Sequence, residues 1–307
     1  MNARLGLVHA VLLATVDLNT KVPSHHPSAR NLGTERMGSG TIVDPAGTIL
    51  TVNYVVNGAE AITVTLSDGK QYPGRLAAQD FDTGLALVNI DASDLPFLRP
   101  AESVDVGQPA FMIASSGENN RRVSDGNVTS LEGYDGQWEY LLERSIRVSA
   151  FNPGFGGGTL ADSRGRLLGV VSLNLNEIGK FTLAIPVEYY LRDADELTRF
   201  GRVRSRPPRP WLGMYPQALG GHVVITGVTP SGPAEAAGLK QGDIILTVEN
   251  QEVQTRPQLY REVWKKRAGD LVTFRVIRGD GSLHVRVTSR DRWDWNQPTP
   301  QGGKAGN

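Results

Sequence analysis

Short runs of β-branched and apolar residues, each closed by a turn signal, fill the chain between residues 37 and 190. Residues 48–52 read Thr-Ile-Leu-Thr-Val after the turn Asp-Pro-Ala-Gly, and residues 61–66 alternate before Ser-Asp-Gly. Many short strands at close spacing are typical of a β-sandwich or a β-barrel, so we predict a mainly β fold here. Similar runs occupy residues 38–43, 85–90, 109–114, 126–130 and 181–186.

The segments on either side of this region differ from it in composition. Residues 5–16 are apolar after Arg4 and have the length of a weak signal-peptide core, but His9 interrupts them and no clean Ala-x-Ala cleavage site follows. We therefore predict a short helix and then a first strand at residues 10–18. Residues 187–200 carry leucines among charged residues, which predicts a helix.

A basic, proline-rich segment at residues 201–210 divides the chain. Because its prolines exclude a regular helix or a central strand, we interpret it as a semi-rigid linker. A chain of 307 residues is long enough for about two domains. We therefore expect a first domain at residues 1–200, a second at residues 211–290, and a disordered tail rich in Gly, Pro and Gln at residues 291–307.

Composition excludes several classes of function. The formal net charge is +0, which argues against a general nucleic-acid or membrane-surface binder. The chain has no cysteine, so disulfides, thiol catalysis and cysteine metal sites are excluded. The adjacent His25 and His26 have no third ligand nearby in the sequence, and we expect neither a metal site nor a cofactor.

A glycine-rich loop at residues 152–160 reads Asn-Pro-Gly-Phe-Gly-Gly-Gly-Thr-Leu. Four glycines in five positions free the backbone to turn its N–H groups inward, as an oxyanion hole requires. The loop resembles the nucleophile loop of the HtrA family of trypsin-like proteases, Asn-Pro-Gly-Asn-Ser-Gly-Gly-Pro-Leu. In this resemblance Gly156 stands at the position of the nucleophilic serine, after Phe155.

Two further segments carry the same resemblance. Residues 38–56 are similar to the family segment that ends in Thr-Asn-x-His-Val-Val, and Tyr54 stands at the position of the general base. Residues 80–88 are similar to the segment with the orienting aspartate, where this chain has Gly84. The resemblance implies a trypsin-like double β-barrel whose triad positions are degenerate.

The histidine positions argue independently against hydrolysis. The five histidines lie at positions 9, 25, 26, 222 and 284, so none falls between residues 27 and 221. A Ser-His-Asp mechanism needs an imidazole base near neutral pH, and a tyrosine with a pKa near 10 leaves about one phenol in a thousand ionised at pH 7. We therefore expect a pseudoprotease, with no catalytic residues.

Other groups near the loop leave an alternative open. Ser149 and Thr159 carry hydroxyls, Lys180 is a candidate base and Asp82 a candidate carboxylate, so a serine-type endopeptidase with displaced catalytic residues is chemically possible. The loop itself, with Gly154, Phe155 and Gly156, either satisfies a tight turn or keeps a residual oxyanion site that binds a carboxylate or a peptide carbonyl. We favour the turn.

The second domain resembles a bacterial PDZ domain of the HtrA type. The similar segments are residues 211–214, residues 227–239 and residues 240–253, and the match extends over about residues 209–289. The resemblance implies that the main chain of Leu212, Gly213 and Met214 binds the terminal carboxylate of a peptide that adds as a strand.

The facing helix would supply the apolar pocket of this domain. Leu259 and Val263 lie one helical turn apart, as pocket residues require, although core positions of an amphipathic helix have the same spacing. Pro216 departs from the pattern because it has no N–H with which to pair.

The sequence therefore predicts a non-catalytic peptide-binding or scaffold protein. Its expected partners are protein or peptide C-termini, and the family resemblance adds a larger assembly or a homotrimer. The resemblance also indicates the cell envelope or periplasm, while the lack of a clear export signal keeps the cytoplasm as the alternative. A peptidase with displaced catalytic groups is the second hypothesis.

Overall fold

A computed structural model describes residues 3–175 and 181–297 of the chain. The chain separates into two compact units. The first is built from the chain up to Glu132 and from Arg144 to Arg204, and the second from Gly133–Glu143 and Ser205–Gln297. This division differs from the boundaries drawn on the sequence, because a short internal segment packs with the second unit.

The first barrel is closed and six-stranded, with strand order β1-β2-β3-β6-β5-β4. Apolar side chains of its strands, such as Val16 and Leu18, are fully buried, so the core lies inside the barrel. The bounds are β1 (Thr15–Lys21), β2 (Glu35–Ile42), β3 (Thr48–Val52), β4 (Ala61–Thr65), β5 (Gln71–Asp80) and β6 (Leu85–Asn89), with helices α1 (Ala3–Ala14), α2 (Ala29–Leu32) and α3 (Asn53–Val56).

The second barrel is also closed, with strand order β11-β14-β13-β12-β7-β8. Its core contains Met112, Ile146, Leu160 and Val171, all at most 2% exposed. The bounds are β7 (Pro109–Gly117), β8 (Asn120–Ser130), β11 (Ile146–Val148), β12 (Thr159–Asp162), β13 (Leu167–Leu175) and β14 (Phe181–Pro186). The double β-barrel predicted from the sequence is confirmed.

The start of the first strand differs from the prediction. Helix α1 continues through Ala14, and the strand begins at Thr15 rather than at residue 10. Alanine and leucine, which are strong helix formers, occupy four of the five positions from residue 10 to residue 14. Leu7 and Val11 of the same helix pack over Gly165, so tertiary contacts support the helical conformation.

Helix α4 (Val187–Phe200) follows the last barrel strand, over the residues predicted to be helical. It ends where Gly201 takes a left-handed conformation with φ of 71°, and the N–H of Gly201 bonds to the carbonyl of Leu197. This is the usual way in which a glycine terminates a helix.

The second unit is a small α+β domain around a sheet with strand order β16-β17-β18-β20-β21, in which β19 pairs with β18. Leu212, Val223, Ile245 and Phe274 are fully buried in its core. Its strands and helices are β15 (Pro210–Trp211), β16 (Met214–Leu219), β17 (His222–Val228), α5 (Pro233–Ala236), β18 (Ile244–Val248), β19 (Gln251–Glu252), α6 (Arg256–Val263), β20 (Leu271–Arg278), β21 (Gly281–Thr288), β22 (Arg290–Asp291) and α7 (Arg292–Trp295).

Two segments outside the predicted second domain belong to this unit. A hairpin of β9 (Tyr134–Gly136) and β10 (Tyr140–Leu142) lies in the segment Gly133–Glu143. Residues 290–295 also have regular structure, since β22 pairs with β15 and the rings of Trp211 and Trp295 lie 5.0 Å apart. The predicted tail from residue 298 lies outside the described residues.

Within residues 3–175 and 181–297, no helix combines the length and the apolar character needed to cross a membrane.

Candidate functional sites

The glycine-rich loop connects β11 to β12, and several of its main-chain N–H groups are engaged in hydrogen bonds within the first unit. Phe155 N donates to Ser115 O at 2.7 Å, and Gly154 N donates to Asn152 Oδ1 at 3.2 Å. Gly157 has a φ of +91°, which a side chain would strain, and its N–H donates to Val171 O at 2.7 Å. The main-chain N–H groups of Gly154, Phe155 and Gly157 are therefore all engaged in hydrogen bonds that hold the loop in this conformation.

Tyr54 and Gly156, two of the three positions at which the sequence predicts a degenerate triad, lie directly against each other. Tyr54 is the second residue of α3, and its hydroxyl donates to Ser172 O at 2.8 Å. A Cβ added at Gly156 would approach Tyr54 Oη far closer than the 3.0 Å that real Cβ contacts respect. The tyrosine thus fills the space that a side chain at position 156 would need. Burial also raises the pKa of the Tyr54 hydroxyl, so it stays protonated.

Gly84, the third position, lies in the turn between β5 and β6. Its φ is +77°, and its carbonyl accepts from Asn53 N at 2.7 Å at the start of α3. Asp80 accepts from Asp82 N at 3.0 Å and from the Thr83 hydroxyl at 2.8 Å, which makes it a turn residue. The structure therefore brings the three positions to one region, with no carboxylate or imidazole among the three.

The groups of the alternative hydrolase have other partners. Ser149 Oγ accepts from Asn127 N at 3.0 Å, and Thr159 is buried with its Oγ 2.6 Å from that of Thr41. Lys180 lies outside the described residues. In the part of the chain that the structure describes, the two candidate hydroxyls thus have structural hydrogen bonds.

Arg36 is a residue of this region that the sequence analysis missed. It is 7% exposed, and its guanidinium donates to the carbonyls of Tyr54 and Asn57, each at 2.9 Å. Burial lowers the pKa of Arg36 to about 10. The charge caps the end of α3 and so holds Tyr54 in place, but an arginine at the start of strand β2 leaves no sequence signal for such a role.

His26 also has a structural environment. Its ring packs on Gly58, and Nδ1 lies 2.7 Å from Ser28 Oγ. Within the described ranges, no group of three or more His, Cys, Asp or Glu side chains is placed to hold a metal ion.

The loop of Leu212, Gly213 and Met214 in the second unit has the geometry of a carboxylate receptor. The carbonyl of Leu212 accepts from Ala234 N at 2.8 Å, and that of Gly213 accepts from Thr229 N at 2.7 Å. Gly213 has a φ of +74°. With the carbonyls turned to one side, the N–H groups of the loop face the other, as in an anion-binding nest.

The carboxylate of Glu139 occupies this loop. Glu139 Oε2 accepts from Leu212 N at 2.9 Å, and Oε1 accepts from Met214 N at 3.0 Å. Burial raises the pKa of the Glu139 carboxyl to about 7, although the N–H groups of the loop and the charge of Arg292 oppose the rise. A side-chain carboxylate of the same chain thus holds the place expected for a peptide terminus.

The backbone at Glu139 is strained. Residues 137–139 connect β9 to β10, and Glu139 has a φ of 57°. A three-residue hairpin loop usually has glycine at this left-handed position, and another residue there costs on the order of 1–3 kcal/mol. The hydrogen bonds of the carboxylate offset this cost. The position of Glu139 is therefore a compromise between local conformation and contacts made by its side chain.

Helix α6 holds the other side of the hairpin. Tyr260 Oη donates to Gly136 O at 2.6 Å, and Arg256 Nε donates to Asp135 Oδ2 at 2.6 Å. Arg256 Nη1 also donates to Gln217 Oε1 of β16 at 2.8 Å, so one guanidinium joins the helix, the hairpin and the edge strand.

Leu259 and Val263, the candidate pocket residues, are 0% and 2% exposed. They belong to a buried apolar cluster that also contains Leu212, Met214 and, from the hairpin, Leu141. The two residues are therefore core residues in this structure, and a hairpin leucine shares their cluster. Pro216, the departure noted in the sequence, lies at a register shift in the pairing of β16 with β17.

Comparison with known proteins matches both units. Residues 38–170 match the model of the trypsin-like peptidase domain, and residues 210–288 match that of the PDZ domain. A probable periplasmic serine endoprotease DegP-like from Halomonas elongata is 31% identical over 91% of this chain and 62% of its own length. Protease Do-like 1, chloroplastic, from Arabidopsis thaliana is 32% identical over 84% of this chain and 64% of its own.

A solved structure covers both units. The HtrA-type protease AlgW with decapeptide aligns with a TM-score of 0.58 and 25% identity, over 97% of this chain and 100% of that one. The chain spans less than two thirds of the length of the two curated relatives.

Proposed function

Because the chain belongs to the HtrA family of trypsin-like serine proteases with a PDZ domain, we propose that it is a non-catalytic member that binds peptide C-termini. The PDZ domain would capture the terminal carboxylate and add the peptide beside strand β16. In this role the protein acts as a binding or scaffold protein rather than as a peptidase.

The observation that carries the proposal is the carboxylate of Glu139 on the N–H groups of Leu212 and Met214. Main-chain donors that hold one carboxylate at 2.9 and 3.0 Å have the spacing to hold another. The decapeptide of the AlgW structure gives independent support for peptide binding within the family.

The loss of catalysis rests on three positions and on the histidine count. Tyr54, Gly84 and Gly156 have neither a nucleophile nor a base of suitable pKa, and no histidine lies between residues 27 and 221. What supports the proposal further is the contact of Tyr54 with Gly156, since the tyrosine takes up the volume that a nucleophilic side chain would need.

The binding proposal is tested by titrating the full chain with a library of C-terminal decapeptides and repeating each hit as its amide. We expect hits with an apolar last residue, Kd values on the order of 1 μM to 1 mM, and loss of binding on amidation. Equal binding of acid and amide would contradict the assignment of Leu212, Gly213 and Met214.

The catalytic proposal is tested with casein and a fluorophosphonate probe. We expect neither cleavage nor labelling. Labelling that disappears in Ser149→Ala would instead support the alternative, a serine endopeptidase with displaced catalytic groups.

The location and assembly of the protein are further parts of the proposal. The bacterial relatives are probable periplasmic endoproteases, which supports the periplasm over the cytoplasm, and cell fractionation tests this location. The homotrimer and the larger complex rest on family resemblance, and light scattering on the purified chain tests them by whether the mass is three times that of a monomer.

A further inference from the structure

The segment Gly133–Glu143 lies where the proposed function requires a peptide. We infer that this segment is a resident internal ligand of the PDZ groove, which a C-terminal peptide must displace before it binds. The inference rests on the proposed function and adds the partner that occupies the site in the unliganded chain.

Glu139 and the terminal carboxylate of a peptide cannot both occupy the loop of Leu212, Gly213 and Met214. Both oxygens of Glu139 are engaged, one with Leu212 N and the other with Met214 N. Glu139 is 7% exposed, so no space is left beside it for a second carboxylate. Two negative charges in one buried loop would also repel each other, so one must leave.

The second argument is that the hairpin also supplies the apolar contact of a ligand. Leu141 is 6% exposed within the cluster that contains Leu259 and Val263. A carboxylate in the N–H loop and an apolar side chain among pocket residues are the two features by which such a domain recognises a terminus. One segment of the chain reproduces both.

The third argument is that polar contacts hold the hairpin at its edges. Arg256 pairs with Asp135, and Tyr260 donates to Gly136 O. Arg261 pairs with Glu143 at 2.8 Å, with both side chains more than half exposed, so that pair adds little. These contacts run along helix α6, from Arg256 at its start to Arg261 in its last turn, as contacts to a ligand bound beside the helix would.

The fourth argument is that the bound state contains a built-in strain. Glu139 keeps a left-handed backbone only while the hairpin loop is closed, and release of the segment relieves it. Covalent attachment works in the opposite direction, because it gives the segment an effective concentration in the millimolar range. A segment with an intrinsic Kd on the order of 10–100 μM, held at about 1 mM, would therefore weaken the binding of a competing peptide about 10- to 100-fold.

The test uses a fluorescein-labelled decapeptide that ends in Ala-Ala-Leu with a free carboxylate, matched by its amide. Fluorescence anisotropy gives its Kd for the full wild-type chain and for Glu139→Gln, which keeps the shape of the side chain but removes its charge. Glu143→Gln is the control, because it neutralises a carboxylate of the same segment that lies outside the loop. We expect Glu139→Gln to bind at least tenfold more tightly and the control to bind within twofold of wild type.

A second measurement needs no variant. Hydrogen exchange of residues 133–143 should accelerate when the wild-type chain is saturated with the decapeptide, because the segment leaves the groove. Unchanged protection, or equal Kd values for wild type and Glu139→Gln, overturns the inference while leaving peptide binding intact. If no variant distinguishes acid from amide, the proposed function fails and the inference fails with it.

Discussion

At the scale of single residues, Tyr54 and Gly156 form a complementary pair. The phenol of Tyr54 reaches across to Ser172 O, and the absence of a side chain at position 156 makes the space for it. Replacement of one position therefore constrains the other. The absence of a side chain at position 156 is in this sense a packing requirement.

This pairing predicts non-additive stability. Gly156→Ser should destabilise the first unit by about 1–3 kcal/mol, because its Cβ overlaps Tyr54 Oη. The same change in a Tyr54→Ala background should cost less, because the phenol is absent. Urea denaturation of wild type, Gly156→Ser, Tyr54→Ala and the double variant gives the coupling free energy between the two positions. Additive costs would show that the two positions do not compete for the same volume.

Glu139 is the second residue with a testable energetic role. Its pKa is about 7 in the folded chain against 4.5 as its ordinary value, because burial disfavours the charged form. The folded state therefore binds the proton more tightly than the unfolded state. This contribution to stability is fully present below pH 4.5 and is lost as the pH rises through 7.

The charged and titratable groups around Glu139 are Arg292 of α7, Tyr260 and Arg256 of α6, and Asp135 of the hairpin. The free energy of unfolding of wild type, relative to that of Glu139→Gln, should rise by about 1 kcal/mol as the pH falls from 8 to 6. Urea denaturation of the second unit measures it. A difference that is flat, or that falls on acidification, would contradict the raised pKa.

At the scale of elements, the hairpin β9–β10 depends on contacts from helix α6. Arg256 donates two hydrogen bonds to Asp135 and one to Gln217. Its side chain is 20% exposed. A partly buried, charge-assisted contact of this kind is worth about 1.5–3 kcal/mol. The helix therefore controls how firmly the hairpin is held.

Arg256→Ala should accelerate hydrogen exchange of residues 133–143 by about tenfold or more, since the contact holds the hairpin closed. Lys265→Ala is the matched control, because the exposed side chain of Lys265 pairs with Glu262 on the same helix region and not with the hairpin, so the substitution should leave exchange unchanged. Equal exchange in the two variants would show that the hairpin is held by its apolar contacts alone.

The elements themselves follow from local patterns, which is why the sequence predicts them. The barrel strands and helix α4 arise from alternation, caps and turn residues that lie within a few positions. The start of β1 was misplaced because tertiary packing of Leu7 and Val11 on Gly165 extends the helix. The occupied groove was not predictable, because Glu139 and Leu212 are 73 residues apart and a bond from a side chain to a main-chain N–H leaves no sequence pattern.

At the scale of the whole molecule, the chain order and the structural units do not coincide. The segment Gly133–Glu143 belongs to the second unit, although β8 before it and β11 after it are strands of a barrel in the first. In the proposed function, binding belongs to the second unit, and the predicted triad positions of the first unit have no catalytic role. The proposed binding therefore depends on one property of the second unit, that Leu212, Gly213 and Met214 form a carboxylate receptor.

The amide ¹H–¹⁵N signals of Leu212 and Met214 in the full chain report most directly on this property. In wild type both amides donate to a carboxylate, so we expect downfield proton shifts. Glu139→Gln should move both signals upfield, and the free-acid decapeptide ending in Ala-Ala-Leu, but not its amide, should return them downfield. Signals that do not move in Glu139→Gln, or that respond equally to the acid and the amide, would show that Leu212, Gly213 and Met214 do not form a carboxylate receptor.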